Sequence, residues 1–93
     1  MMVFYVIDYF ATGEGRTIWL YVAKCYDKKE AELSKKDFKS SVGRYYAEGI
    51  EEYDQDSFIC EYGHLVSENV LRMIMEDSFG GFVYKQELHI NAS

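Results

Sequence analysis

Met2-Val3-Phe4-Tyr5-Val6-Ile7-Asp8-Tyr9-Phe10 and Thr17-Ile18-Trp19-Leu20-Tyr21-Val22-Ala23-Lys24-Cys25-Tyr26 are the two segments that decide the fold. Both are rich in β-branched and aromatic residues, which pack well on a pleated surface. Thr12-Gly13-Glu14-Gly15-Arg16 lies between them, and its two glycines can take positive φ, so the pair reads as an antiparallel hairpin. In the second segment Ile18, Leu20 and Val22 fall on one face, with Trp19, Tyr21 and Ala23 on the other. A strand that is apolar on both faces implies a sheet covered on one side by helices and partly covered on the other.

Asp27 follows as a helix N-cap, and Glu30 three residues on completes a capping-box pattern. Ala31, Phe38, Val42, Tyr45, Tyr46, Gly49, Ile50 and Tyr53 form one helical stripe. Gly43 and Gly49 weaken that stripe by ~1 kcal/mol each relative to Ala, so the helix is expected from Lys28 to about Glu48. Gly49 stands near its C-cap. An extended stretch then reaches Tyr53, followed by a loop through Asp54-Gln55-Asp56. Ser67 caps a second helix running through Ser78, and Val70, Leu71, Met73, Ile74 and Met75 make it apolar around most of its circumference, hence deeply buried. Gly80-Gly81 ends it. The last strand, Phe82 to Ile90, alternates Phe82, Tyr84, Leu88 and Ile90 against Lys85, Glu87 and His89. The expected class is α+β: a small antiparallel sheet (N-terminal hairpin plus C-terminal strand) covered by two helices in ββα(β)αβ order.

Ninety-three residues, 48% of them apolar, are expected to form one domain with a real core. The two cysteines do not make a disulfide framework. No export signal or membrane-spanning apolar run is legible, so the expected location is the cytoplasm, without membrane contact. Asn91-Ala92-Ser93 matches a glycosylation sequon, which carries no weight without such a signal.

Charge is distributed unevenly. Tyr45 to Leu71 holds seven acids (Glu48, Glu51, Glu52, Asp54, Asp56, Glu61, Glu68) and no Lys or Arg. Lys24 to Arg44 holds seven bases against four acids, and the whole chain carries a formal charge of −6 with a pI near 4.8. Such a split leaves a strongly negative surface part bearing Tyr45, Tyr46, Tyr53 and Tyr62, suited to a basic partner. Tyrosine gives such a surface flat contacts with a polar tip.

Catalytic and metal chemistry find little support. Cys60 and His64 are one helical turn apart, but a zinc site brings its ligands in two close pairs, and Cys25 and His89 do not form the second. Cys25 reads as a small core residue. Ser67 stands three residues from His64 without a held base or an oxyanion motif, so capping is its expected role. Glu51-Glu52 and Asp54/Asp56 read as a solvated acidic face, not as an acid–base pair in an apolar cleft. Gly13-Glu14-Gly15-Arg16 opens no helix and is explained by a tight turn. Lys28, Lys35 and Lys39, flanked by Lys29 and Lys36, could meet phosphates, yet the net charge argues against direct nucleic-acid binding. No enzyme, cofactor or metal is expected.

In general character (short, free of Pro, acidic, rich in aromatics, without a catalytic motif) the whole chain is similar to small phage-encoded antagonists of restriction or CRISPR machinery, a likeness carried by no single motif. That likeness implies an inhibitor acting in the host bacterial cytoplasm on the basic, nucleic-acid-binding surface of an enzyme complex. Glu48, Glu51, Glu52, Asp54 and Asp56 would supply charge in the place of phosphates, and Tyr46, Tyr53 and Tyr62 would be the anchors. The alternative is a self-assembling α+β scaffold, such as a homodimer, or a small-ligand-binding subunit. There the lysine ridge of one copy meets the acids of the next, and Trp19 and the tyrosines line the interface or pocket.

Overall fold

The two-faced hairpin is the centre of the molecule. The computed structural model describes residues 2–11, 15–76 and 83–91. In chain order these form β1 (Met2–Ala11), β2 (Gly15–Lys24), α1 (Lys28–Ala47), β3 (Glu51–Tyr53), α2 (Gln55–Tyr62), a 3-10 turn at Gly63–Leu65, α3 (Glu68–Met75) and β4 (Val83–Asn91). The fold is α+β, with an antiparallel sheet of strand order β3-β1-β2-β4. β1 and β2 pair from Met2↔Lys24 to Ala11↔Gly15, so the turn between them falls on residues 12–14, outside the described residues.

The register places Phe4 and Val6 beside Val22 and Leu20, and Tyr5 and Ile7 beside Tyr21 and Trp19. Successive side chains point to opposite faces, so each face acquires its own core. On one, Phe4, Val6, Ile18, Leu20 and Val22 pack with Phe58 and Tyr62 of α2, Val66, and Val70 and Ile74 of α3. On the other, Tyr5, Ile7, Tyr21, Ala23 and Cys25 pack with Ala31, Phe38 and Val42 of α1. The sheet is therefore the middle of three layers. One fully buried phenylalanine keys the helices to each face. Phe38 lies 5.0 Å from Tyr21 and 6.2 Å from Tyr5 between ring centroids, and Phe58 lies 4.8 Å from Phe4.

The helix starts follow the sequence. Asp27 Oδ1 accepts from the Glu30 backbone N–H at 2.9 Å, while Glu30 Oε2 accepts from the Tyr26 N–H at 2.8 Å, a reciprocal cap shifted by one residue. Ser67 Oγ accepts from the Val70 N–H at 3.2 Å. Three expectations need correction. Asp54-Gln55-Asp56 is not a loop: Asp54 caps α2, a third helix that supplies Phe58 and Tyr62 to the core. The helix after Ser67 stops at Met75, because Glu76 is extended and its carbonyl accepts from the buried Lys24 ammonium. Nor is α3 buried all round. Val70 and Ile74 face the sheet, Leu71 is half-buried, and Met73 and Met75 are exposed, since a helix packed on one sheet face covers a single side. Gly80-Gly81, Phe82 and the C-terminal Ala92-Ser93 of the sequon lie outside the described residues.

Gly43 interrupts α1 with φ +81° and ψ 163°, a region open essentially to glycine alone. The helical phase resets there, which explains why Ala31, Phe38 and Val42 are buried as the stripe requires while Tyr45 is 75% exposed. A Cβ built at Gly43 meets nothing within 4 Å, so a substitution is penalised by backbone conformation alone. Among the described residues, no helix is long and apolar enough to cross a membrane.

Replacing Gly43 by Ala should destabilise the protein by about 1–3 kcal/mol in urea unfolding, the usual strain of a non-glycine residue in this region. In an unbroken helix the same change would instead stabilise by about 1 kcal/mol. A more stable Gly43→Ala variant would contradict the break in α1.

Candidate functional site

β3 is a three-residue edge strand, held to β1 by Phe4↔Tyr53, Tyr5↔Glu52 and Val6↔Glu51. Alternation divides its acids between the two faces. Glu52 points to the α1 side, where it pairs with Lys35, whose ammonium also lies 5.8 Å above the Tyr5 ring centre. Its charge is locally balanced. Glu51 and Tyr53 point to the α2 side, and the Tyr53 hydroxyl donates to Glu51 Oε2 at 2.8 Å. The Tyr62 hydroxyl stands 3.2 Å from that of Tyr53, with the rings edge to face at 5.4 Å. Together they form a line from an exposed carboxylate into the core.

Asp54 turns the chain from β3 into α2. Its Oδ1 accepts from the Ser57 backbone N–H at 2.8 Å, and this bond holds its carboxyl below the ordinary 3.8. Asp56 follows in the first turn, exposed, where the helix dipole favours an anion. Glu51, Asp54 and Asp56 thus line a short exposed path along the edge strand and the start of α2. Across the tip of this path Gln55 Nε2 approaches Met75 Sδ at 3.9 Å, which brings an exposed apolar side chain from α3 beside the acids.

Glu48, at the C-terminus of α1, sits apart from this path in an open recess of about 440 Å³. Lys35, Lys39 and Arg44 share the walls with it, so its setting is basic. Tyr46 is half-buried against the α1-side core and meets Tyr45 edge-on at 5.4 Å between ring centroids. Tyr62 is only 5% exposed and belongs to the core, which removes it from the surface a partner could touch. The eight residues singled out by composition therefore separate. Glu51, Tyr53, Asp54 and Asp56 form one face, Glu52 and Glu48 lie among cations, Tyr46 is half-buried, and Tyr62 is internal. Met75 is exposed where the sequence put it in a buried helix, and Tyr45, already expected on the negative surface, is exposed because it sits beyond the phase break at Gly43.

The residues considered for other chemistry are dispersed. Cys25 is buried, with its sulfur 3.5 Å from Ser34 Oγ, while Cys60 is exposed on α2 and His64 on the following turn. His89 lies on β4 between Thr17 and Glu87. Among the described residues, no three His, Cys, Asp or Glu side chains converge as metal ligands would. Lys28, Lys29, Lys36 and Lys39 are exposed along α1. No family model, curated protein or solved structure matches this chain.

Several phenols are held neutral. Burial, with Glu52 next, pushes Tyr5 up from 10.0 to about 12, and burial raises Tyr21 and Tyr84. The hydrogen bond with Tyr62, then burial, then the bond to Glu51 raise Tyr53. An unfolded chain loses these protons first, so the stability they contribute is complete below pH 10.0 and drains away as pH rises through the folded-state values. The melting temperature should therefore hold from neutral pH to about 10 and then fall, with phenolate absorbance rising together with unfolding. Full phenolate absorbance in a still-folded protein at pH 10 would contradict the assignment.

Proposed function

We propose that this protein is a stoichiometric, non-enzymatic inhibitor that binds another protein, presenting the β3–α2 edge to a basic nucleic-acid-binding surface. In this reading the target belongs to a bacterial nucleic-acid-handling complex, and the protein acts beside it as phage-type antagonists of restriction or CRISPR enzymes do. The observation that carries the reading is the exposed run Glu51, Asp54 and Asp56 at a sheet edge, in a chain of formal charge −6. Carboxylates along an edge can take the places of backbone phosphates in a groove lined by Lys and Arg.

Exposed ion pairs are worth only about 0–1 kcal/mol each, so these acids chiefly steer the encounter and set its salt dependence. Tight binding needs desolvated anchors at the centre of the contact. In this reading Tyr53, half-buried beside Glu51, and Met75, 63% exposed beside Gln55, provide them. Glu52 contributes less than its neighbours because Lys35 already neutralises it. The same comparison sets Glu48 aside from the contact.

The test is a pull-down from nuclease-treated bacterial lysate, run with the wild type and with Glu51→Lys/Asp56→Lys. The expected result is a nucleic-acid-binding protein retained by the wild type, released by salt, and lost from the variant, whose circular dichroism shows that it is still folded. An eluate holding only the bait, or equal retention by the variant, would contradict the proposal.

A further inference from the structure

The opposite edge of the sheet has a different character. β4 pairs with β2 from Gly15↔Asn91 to Ala23↔Val83, and no described strand pairs with its outer side. It is a nine-residue edge, three times the length of β3. Long, regular edges are templates for a further strand. Along β4, Tyr84, Gln86, Leu88 and Ile90 are half-buried toward the α2–α3 side, while Val83, Lys85, Glu87 and His89 are exposed on the α1 side.

We infer that β4 is a homodimer interface: two copies pair antiparallel about a two-fold axis at Gln86, giving one continuous eight-stranded sheet. The charge pattern selects both the occupant and the register. A two-fold axis normal to the sheet keeps each side chain on its own face, so odd positions meet odd and even meet even. An axis at Lys85 would set that ammonium against its own copy, and one at Glu87 would oppose two carboxylates. An axis at Gln86 sets Lys85 opposite Glu87 of the second copy, twice, and Tyr84 opposite Leu88, twice. Opposite charges and aromatic–aliphatic pairs at directly facing positions are the pairings that stabilise a ladder. An axis at Leu88 instead pairs Glu87 with His89, which is charged only when protonated, and leaves Tyr84 outside the paired segment.

A second observation supports the same surface. Lys85 Nζ reaches Asp37 of α1 at 3.6 Å, which marks the flank of α1 nearest β4. Leu33 lies one turn earlier on that flank and is 57% exposed. Pairing through β4 brings the two α1 flanks together over the new ladder, so Leu33 gains apolar cover. The two β3 edges would then stand at the far ends of the sheet, seven strand spacings of ~4.8 Å or roughly 34 Å apart. The dimer does not depend on what the acidic edge binds.

Sedimentation of the full chain near neutral pH tests this. The wild type should sediment at twice its 10.9 kDa mass, Lys85→Glu and Glu87→Lys should each be monomeric with unchanged circular dichroism, and the double reversal should restore the dimer. In a Cys60→Ser background, Gln86→Cys should crosslink to its own copy under a mild oxidant. Facing Cα atoms lie about 4.5–5.5 Å apart, within disulfide reach. Lys85→Cys should not, since its own copy would be a diagonal neighbour at about 7–8 Å. A monomeric wild type, single reversals that stay dimeric, or equal crosslinking at positions 85 and 86 would overturn the inference. If a reversal variant fails to fold, the cysteine pair decides.

Discussion

The molecule depends on one constraint: β1 and β2 carry large apolar side chains on both faces, and neither face can be left in water. Phe4, Val6, Leu20 and Val22 demand cover on one side, and Tyr5, Ile7 and Tyr21 on the other. At roughly 25 cal/mol per Å² of apolar surface, leaving either side bare would forfeit several buried side chains worth about 1.5–3 kcal/mol each. A domain whose whole margin is about 5–15 kcal/mol could not absorb that loss. The helices are placed accordingly, with α1 docked through Phe38 and α2 with α3 through Phe58, Tyr62, Val70 and Ile74. Covering both faces leaves the two edges and the outer sides of the helices as the surfaces on which a partner can act.

Much of this was legible in the sequence because it rests on local signals. The two-sided hairpin, the Asp27–Glu30 cap, the Ser67 cap, the extended stretch ending at Tyr53 and the alternation in β4 are each set by residues within a few positions of one another. What was missed depended on context. α2 has eight residues and opens on Asp54-Gln55-Asp56, polar residues that read as a loop. Only the cap at Asp54 and the i, i+4 pair Phe58/Tyr62 betray it. At Gly43 a single φ of +81° changes the helical phase, so a stripe drawn straight through it misplaces Tyr45. A run of apolar letters in α3 does not say how many neighbours the helix has, and Met73 and Met75 are left outside.

The candidate site was only partly legible for the same reason. Composition located the acids in one stretch but not on one face. Pleating sends Glu51 and Glu52 to opposite sides of β3, and Lys35, seventeen residues earlier, neutralises one of them. Tyr62 looked like an anchor because it is a tyrosine among acids. Its position four residues after Phe58 instead carries it inward. The acidic face that survives is smaller than the acidic segment: Glu51, Asp54 and Asp56, with Tyr53 behind them and Met75 alongside. It stands at the β3 edge of the sheet, and β4, with Lys85 and Glu87 exposed, forms the other edge. Both faces of the sheet are spent on the core.

Native-state hydrogen exchange, read amide by amide, tests that constraint most directly. If the doubly covered hairpin holds the fold together, the amides of Phe4–Ile7 and Ile18–Ala23 should exchange only through global unfolding, on both faces alike. Those of β3 and the first turn of α2 should open at lower free energy. Fast exchange along β2, or protection on one face of the hairpin alone, would contradict the account.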